Sequence, residues 1–170
     1  MLAALLLMSS CADKVEIEDR GFALAIGVDY EGGKITVTVC MPANSEDEVQ
    51  TTAEGKGASV KEALDFIDKN TSKKLYIEHV KAVVFGQKLL EDERRVKTVL
   101  HEVNNIGLSR KTIILSCEGS AKDTVSQTPD GTNFGLYAAK YFKNGDETPS
   151  TLETVKNRED MYNFPKGGDN

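Results

Sequence analysis

A short apolar run in the middle of the chain limits the folds that are open to it. Residues Val80–Phe85 are apolar except for Lys81, are rich in β-branched side chains, and are followed by Gly86. A run of this length and composition predicts a β-strand that is buried on both faces of a sheet. Helical patterns flank it over Val60–Asn70 and Glu91–Asn104. We therefore predict a central strand that two helical crossovers connect to its neighbours.

The segment before the first helix predicts a β-hairpin. Phe22–Tyr30 has the composition of a strand, and a Gly-rich turn separates it from Lys34–Met41, where apolar and polar side chains alternate. This alternation places Thr36, Thr38 and Cys40 on one face, which we predict to be the wetter face of the hairpin.

The remaining patterns indicate a mixture of helices and strands. Ser59 and Glu62 form a capping box at the start of the helix over Val60–Asn70, and Ser150 and Glu153 form another that predicts a weak helix over Leu152–Asp160. The other predicted elements are strands at Val49–Glu54 and Thr112–Ser116, a short helix at Ala121–Ser126, and a helix over Phe134–Tyr141. We therefore predict an α+β fold, in which a mixed β-sheet with an N-terminal hairpin has helices packed against it.

The N-terminus resembles the signal of a bacterial lipoprotein. Met1–Met8 is apolar, Ser9 and Ser10 follow, and Cys11 precedes a polar stretch. In a lipobox the thiol takes a diacylglyceryl group, and small residues before it let the peptidase approach. No Lys or Arg precedes the run, so residues 1–10 are interpreted as a signal remnant that is truncated at its start. The alternative is a stray apolar N-terminus beside an ordinary core cysteine.

Charge and composition exclude several classes of function. The chain has 27 acidic and 21 basic side chains, a formal charge of −6. This balance argues against binding nucleic acid and against docking on anionic lipid through a basic patch. His79 and His101 are lone histidines in separate elements, so neither a metal site, a cofactor site nor a catalytic group is predicted. Cys40 and Cys117 are expected to be unpaired thiols.

Several segments, taken in order along the chain, resemble segments of one known family. They are Cys11–Asp19, Ala25–Asp29, Gly57–Leu64, Leu75–Lys81, Val83–Gly86 and Gly119–Asp123. Their order and spacing are similar to those of the Ger(x)C lipoproteins, the C subunits of spore nutrient germinant receptors in endospore-forming bacteria. Family members usually have Trp where this chain has Ala12, and they are about twice as long. The resemblance therefore covers only their N-terminal domain, assigned here to residues 11–163, with 164–170 as a flexible tail or linker.

The resemblance implies a non-catalytic subunit that is anchored to the membrane by lipid on Cys11. It implies a place on the outward-facing side of the spore inner membrane, beside membrane-embedded A and B subunits. Contacts with these partners are expected to involve loops, with Pro42–Glu48 and Thr128–Thr132 as candidates, although both are as readily explained as solvated connections. One alternative is an exported lipoprotein that binds a small solute directly. Another is an enzyme, which would need perturbed titratable groups around His79 or His101.

Overall fold

The computed structural model describes residues 20–43 and 47–165. Cys11 and the predicted signal remnant lie outside the described residues, as do Asn44–Glu46 and positions 166–170. Short 3-10 helices occupy Pro129–Gly131 and Arg158–Asp160. The other elements are, in chain order, β1 (Arg20–Phe22), β2 (Ala25–Glu31), β3 (Lys34–Pro42), β4 (Gln50–Gly57), α1 (Val60–Asn70), β5 (Lys74–Tyr76), β6 (Ala82–Phe85), α2 (Gln87–Leu90), α3 (Glu93–Asn105), β7 (Ile113–Cys117), α4 (Ala121–Val125), α5 (Phe134–Asn144) and β8 (Tyr162–Phe164).

Six of the strands form one mixed sheet in the order β4-β3-β2-β6-β7-β8. The strands β2, β3 and β4 are antiparallel neighbours, whereas β2, β6, β7 and β8 run parallel to one another. A separate parallel pair joins β1 to β5. The predicted α+β fold is therefore confirmed, and β6 lies in the middle of the sheet as its composition indicated.

Helices cover the sheet on both faces, because successive residues of a strand point to opposite sides. In β6, Val83 and Phe85 lie in a front core with α1 and α3, while Ala82 and Val84 lie in a back core with α4 and α5. All four side chains have 0% exposure. Full burial on both faces explains why the sequence of this strand is apolar without a break.

The predicted start of α1 is confirmed. The Ser59 hydroxyl accepts a hydrogen bond from the Glu62 amide at 3.1 Å, and the Glu62 carboxylate accepts one from the Ala58 amide at 2.8 Å. These bonds satisfy donors that have no partner within the helix.

Within the two described ranges no helix is long and apolar enough to cross a membrane.

The predicted wet face of β3 is wrong. Thr36, Thr38 and Cys40 are exposed by only 4%, 1% and 0%. The reason is tertiary, since α4 packs on this end of the sheet and the Gln50 side chain lies over Cys40. The hairpin itself is present, with β2 and β3 paired along their length.

The predicted helix over Leu152–Asp160 is also wrong. The backbone here bonds to the start of β7, with Leu152 N donating to Thr112 O at 2.8 Å and Ile114 N donating to Ser150 O at 2.9 Å. These bonds tie positions 150–152 to β7 and bury Leu152, and the chain then makes a single turn, with Val155 N donating to Thr151 O at 2.9 Å, that does not continue as a helix. At the C-terminus Phe164, which the sequence placed in the tail, is buried at the end of β8.

Candidate functional site

The parallel strands β6 and β7 send their following helices to opposite faces of the sheet. Leu89 of α2 packs in the front core, whereas Ala121 and Val125 of α4 pack in the back core. Such a switch between neighbouring parallel strands leaves a crevice at their carboxyl ends, where open α/β sheets usually bind ligands. A cleft of about 500 Å³ lies at this position.

We call this feature the charged cleft, because acidic and basic side chains line it in nearly equal numbers. Its acidic residues are Asp29, Glu31, Glu54 and Glu91. Its basic residues are Lys56, Lys88 and Lys122. The near balance favours neither a strongly anionic nor a strongly cationic ligand.

Asp29 organises one wall of the charged cleft. Its carboxylate accepts hydrogen bonds from the Ala121 and Lys122 amides at 2.8 and 2.9 Å, and from the Ser120 hydroxyl at 3.1 Å. These donors belong to the first turn of α4, where they have no partner within the helix. A single carboxylate at the end of β2 therefore fixes the position of α4.

Two glycines allow α4 to approach the sheet this closely. A side chain at Gly27 would lie 3.0 Å from the carbonyl group of Ala121, and one at Gly86 would collide with the Asp29 carboxylate. Both positions are therefore restricted to the smallest residue by space, not by a left-handed backbone.

Two ion pairs also line the charged cleft. Lys56 Nζ lies 3.0 Å from Glu31 Oε2, and Lys122 Nζ lies 2.9 Å from Glu54 Oε2. The hydrogen bond and charge of Lys56 lower the pKa of the Glu31 carboxyl, and the same bond raises the pKa of Lys56. The hydrogen bond to Glu54 raises the pKa of Lys122. Glu31, Lys56 and Lys122 thus stay charged at neutral pH and neutralise one another, so they are not poised for proton transfer.

Thr36 contributes the unusual polar group of the charged cleft. Its side chain is buried, and its hydroxyl has no hydrogen-bond partner within residues 20–43 and 47–165. In the sheet Thr36 lies between Asp29 on β2 and Lys56 on β4. An unsatisfied buried hydroxyl costs about 1–3 kcal/mol, so a ligand that hydrogen-bonds to it would recover part of that free energy.

The two histidines do not contribute to the charged cleft. His79 precedes β6 and packs edge-on against the Phe22 ring, with the ring centroids 5.2 Å apart. His101 lies on α3, where its Nε2 is 3.1 Å from the Asn105 amide nitrogen. In the part of the chain that the structure describes, no group of three or more His, Cys, Asp or Glu side chains is arranged to hold a metal ion.

Cys40 belongs to a buried polar junction that the sequence did not indicate. Its thiol donates to Gln50 Oε1 at 2.7 Å and accepts from Asn133 Nδ2 at 3.1 Å. Gln50 Nε2 in turn donates to the carbonyl groups of Val125 and Gln127. Burial raises the pKa of the Cys40 thiol to about 11, so the thiol stays protonated and unreactive at neutral pH. Cys40 and Cys117 are both buried, and they are not bonded to each other.

Sequence reasoning missed the role of Asp29, although a signal was present. Asp29 interrupts the apolar run of β2, and Gly86 ends the apolar run of β6. Each position looked like the end of a strand, and nothing local showed that the two carboxyl ends meet under α4. Cys11, the predicted site of lipidation, lies outside the described residues.

Known proteins that are similar to the chain point to one family. Residues 13–163 match the family described as the spore germination protein N-terminal domain. Spore germination protein B3 of Bacillus subtilis (strain 168) is 23% identical over 137 residues, which cover 75% of this chain and 36% of that protein. The chain therefore spans little more than a third of the length of this relative. No solved structure matches the chain significantly.

Proposed function

Since this chain belongs to the spore germination protein N-terminal domain family, and is a spore germination protein of the Ger(x)C type, we propose that it is a lipid-anchored, non-catalytic subunit of a spore nutrient germinant receptor. The observation that carries the proposal is the order of the two N-terminal features. The lipobox-like segment ends at Cys11, and the family match begins two residues later, at Asp13.

The proposed partners are the membrane-embedded A and B subunits of the same receptor. The proposed location is the outward-facing side of the spore inner membrane, where lipid on Cys11 holds the domain. A single acyl chain binds a membrane only marginally, whereas the two chains of a diacylglyceryl group give stable anchoring. The chain then acts through contacts with its partners. The charged side chains of the cleft are paired with one another, so the chain is better suited to such contacts than to catalysis.

The anchor is tested by mass spectrometry of the protein from spore membranes. We expect diacylglycerol in thioether linkage on Cys11, with residues 1–10 removed. Cys11→Ser should move the protein to the soluble fraction, whereas Cys117→Ser, which changes a buried thiol, should leave it in the membrane fraction. An unmodified Cys11 in a host that has the lipid-transferring enzyme would rule out the anchor.

The partnership is tested by co-purification of the full chain with the A and B subunits of its operon. We expect all three subunits in one detergent-solubilised complex. Substitutions in the predicted contact loop at Thr128–Thr132 then show whether that loop contributes. A full chain that purifies without either subunit would contradict the receptor role.

A second candidate function is direct binding of a small polar solute in the charged cleft. The unpartnered Thr36 hydroxyl and the position at the carboxyl ends of parallel strands favour it. Calorimetry of the Cys11→Ser chain with amino acids, sugars and nucleosides tests it, with Thr36→Val as the matched variant because it keeps the shape and removes the hydroxyl. Micromolar binding that Thr36→Val abolishes would show that the chain functions by binding a solute and not by contact with partners alone. Absence of binding at millimolar solute would leave contact with partners as the function.

A further inference from the structure

A second concave feature lies at the opposite end of β7 from the charged cleft. The outer face of α3 and the segment at positions 152–156 enclose a groove of about 420 Å³. Basic side chains on its rim are Lys97, Arg110 and Lys156, and Leu100 and Leu152 lie in its floor. We call it the cationic groove.

The walls of the cationic groove are held in place by the backbone. Glu153 N donates to Arg110 O at 3.1 Å, and Leu152 N donates to Thr112 O at 2.8 Å. On the other side α3 packs its buried face into the front core. The groove therefore lies between a helix and a turn that backbone hydrogen bonds tie to the start of β7.

The charge of the groove is opposite to the charge of the molecule. Three Lys or Arg side chains line it with one acidic residue, Glu153, whereas the whole chain carries −6. Lys97 pairs with Glu93 on its own helix at 2.7 Å. Within the described ranges, Arg110 and Lys156 have no carboxylate within ion-pair distance. In contrast to the charged cleft, these cations are not neutralised by the protein itself.

We propose that the cationic groove docks an acidic, amphipathic segment of a partner protein. Arg110 suits a carboxylate because its guanidinium can donate two parallel hydrogen bonds, and the Leu floor suits one apolar side chain between the acidic residues. This proposal rests on the proposed function, in which the chain works by contact with partners, and it names the surface and the chemistry of the contact.

The overall charge favours a protein segment over an anionic membrane as the occupant. An extended anionic surface is repelled by the net charge of −6. A short segment that enters the groove responds mainly to charges within the screening length, about 8–10 Å at physiological salt. Among the residues that line the groove, three are basic and one, Glu153, is acidic.

The primary test measures binding of defined peptides to the full chain carrying Cys11→Ser. The probe is a fluorescent peptide of repeating Glu-Glu-Leu units, compared with Lys-Lys-Leu and Glu-Glu-Ser peptides of the same length. We expect saturable binding of the first, none of the second, and weaker binding of the third. Equal binding of the Leu and Ser acidic peptides would contradict the amphipathic requirement.

Charge reversal identifies the surface. Arg110→Glu with Lys156→Glu should weaken binding of the acidic peptide by at least about tenfold, mainly through faster dissociation. The matched control, Lys34→Glu with Lys140→Glu, makes the same charge change at exposed positions on the hairpin turn and α5, and should change affinity by less than about twofold. Equal weakening in both pairs would show that peptide binding reports net charge only, and would overturn the proposal.

Two further readouts separate this proposal from the proposed function. If vesicles of phosphatidylglycerol bind the chain through Arg110 and Lys156 and the acidic peptide does not bind, the occupant of the groove is a lipid and not a protein segment. If the wild-type chain co-purifies with the A and B subunits and the Arg110→Glu, Lys156→Glu chain does so equally well, the groove is not the contact, although the receptor role stands. If the wild-type chain does not co-purify, the receptor role falls, while the peptide measurements still decide what the groove binds.

Discussion

The two ends of the parallel strands carry concave features of similar size, of which one is nearly balanced in charge and the other has an excess of basic side chains. The charged cleft measures about 500 Å³ and the cationic groove about 420 Å³. In the cleft, Lys56 and Lys122 are paired with Glu31 and Glu54, so most of its charge is compensated internally. In the groove, Arg110 has no such partner within the described ranges. The two features therefore differ little in volume, and what distinguishes them is whether their charged side chains are paired within the protein.

The comparison also concerns what each feature does for the fold. The charged cleft contains the Asp29 carboxylate that holds the first turn of α4, so its polar groups stabilise the structure. The side chains of Arg110 and Lys156 on the rim of the cationic groove form no ion pair within the described ranges, and the wall beside them is held by backbone bonds to β7 and by the Thr154 and Asp160 side chains. Substitutions in the cleft should thus affect folding, and substitutions on the groove rim should affect binding.

The largest expected effect removes both features together. Val84→Asp places an unpaired carboxylate in the back core, on the strand at the middle of the sheet. The cost is several kcal/mol, roughly the whole stability of a domain. We expect no cooperative thermal transition. The control is Glu48→Lys, which changes the charge of an exposed loop residue and should leave the melting temperature nearly unchanged. Equal melting temperatures for Val84→Asp and wild type would contradict the position of β6 in the core.

The next effect is confined to the charged cleft. Asp29→Ala leaves the Ala121 and Lys122 amides without their acceptor, which should lower the free energy of unfolding by about 1–2 kcal/mol. Amide hydrogen exchange should accelerate in α4 and stay slow in α3. Asp29→Asn retains one acceptor oxygen and should lose less stability. Uniform acceleration in both helices would show that the carboxylate supports the whole fold and does not act locally.

The cationic groove should respond in the opposite way. Arg110→Glu with Lys156→Glu should change the free energy of unfolding by less than about 0.5 kcal/mol, because both side chains are exposed and unpaired. Urea denaturation measures this, with Asp29→Ala as the positive control. A loss comparable to that of Asp29→Ala would mean that the groove cations have a structural role, and the contrast between the two ends would disappear.

The smallest effect concerns the Glu31–Lys56 pair and depends on pH. The pKa of Glu31 is lowered in the folded protein from its ordinary 4.5, so the stabilisation is present above pH 4.5 and is lost as the pH falls through the lowered pKa. The pKa of Lys56 is raised from 10.5, so the stabilisation is lost again as the pH rises through the raised value. The difference in melting temperature between wild type and Lys56→Met should therefore be widest between these limits, and should shrink at high salt.

Lys34→Met is the matched control for this pH series, since Lys34 is exposed and near the same hairpin turn but forms no ion pair within the described ranges. A difference for Lys56→Met that does not vary with pH would indicate lost packing of the lysine stem and not a lost ion pair.

Local patterns predicted the elements whose neighbours are close in sequence. The central strand was recognisable because burial on both faces requires an unbroken apolar run, and Ser59 with Glu62 marked the start of α1 because capping bonds span only a few residues. Leu152 and Val155 have helical spacing as well, yet that spacing was overridden by hydrogen bonds to β7, about forty residues earlier in the chain. β1, β5 and β8 have three residues each, too few for a periodicity to be recognised.

The sequence by itself determined the family resemblance, the central strand, the hairpin, α1 and α3, because the pattern that marks each of them lies within short stretches of the chain. Only the tertiary structure decided that Thr36 is buried, that Asp29 holds α4, and that Arg110 and Lys97 share a groove. The Asp29 carboxylate and the Ala121 amide are 92 residues apart, and their bond exists because β2, β6 and β7 end side by side. Sequence periodicity separates the two faces of an element, but it does not record which elements cover each face, and for this reason the buried face of β3 with Thr36 and Thr38 was predicted to be wet.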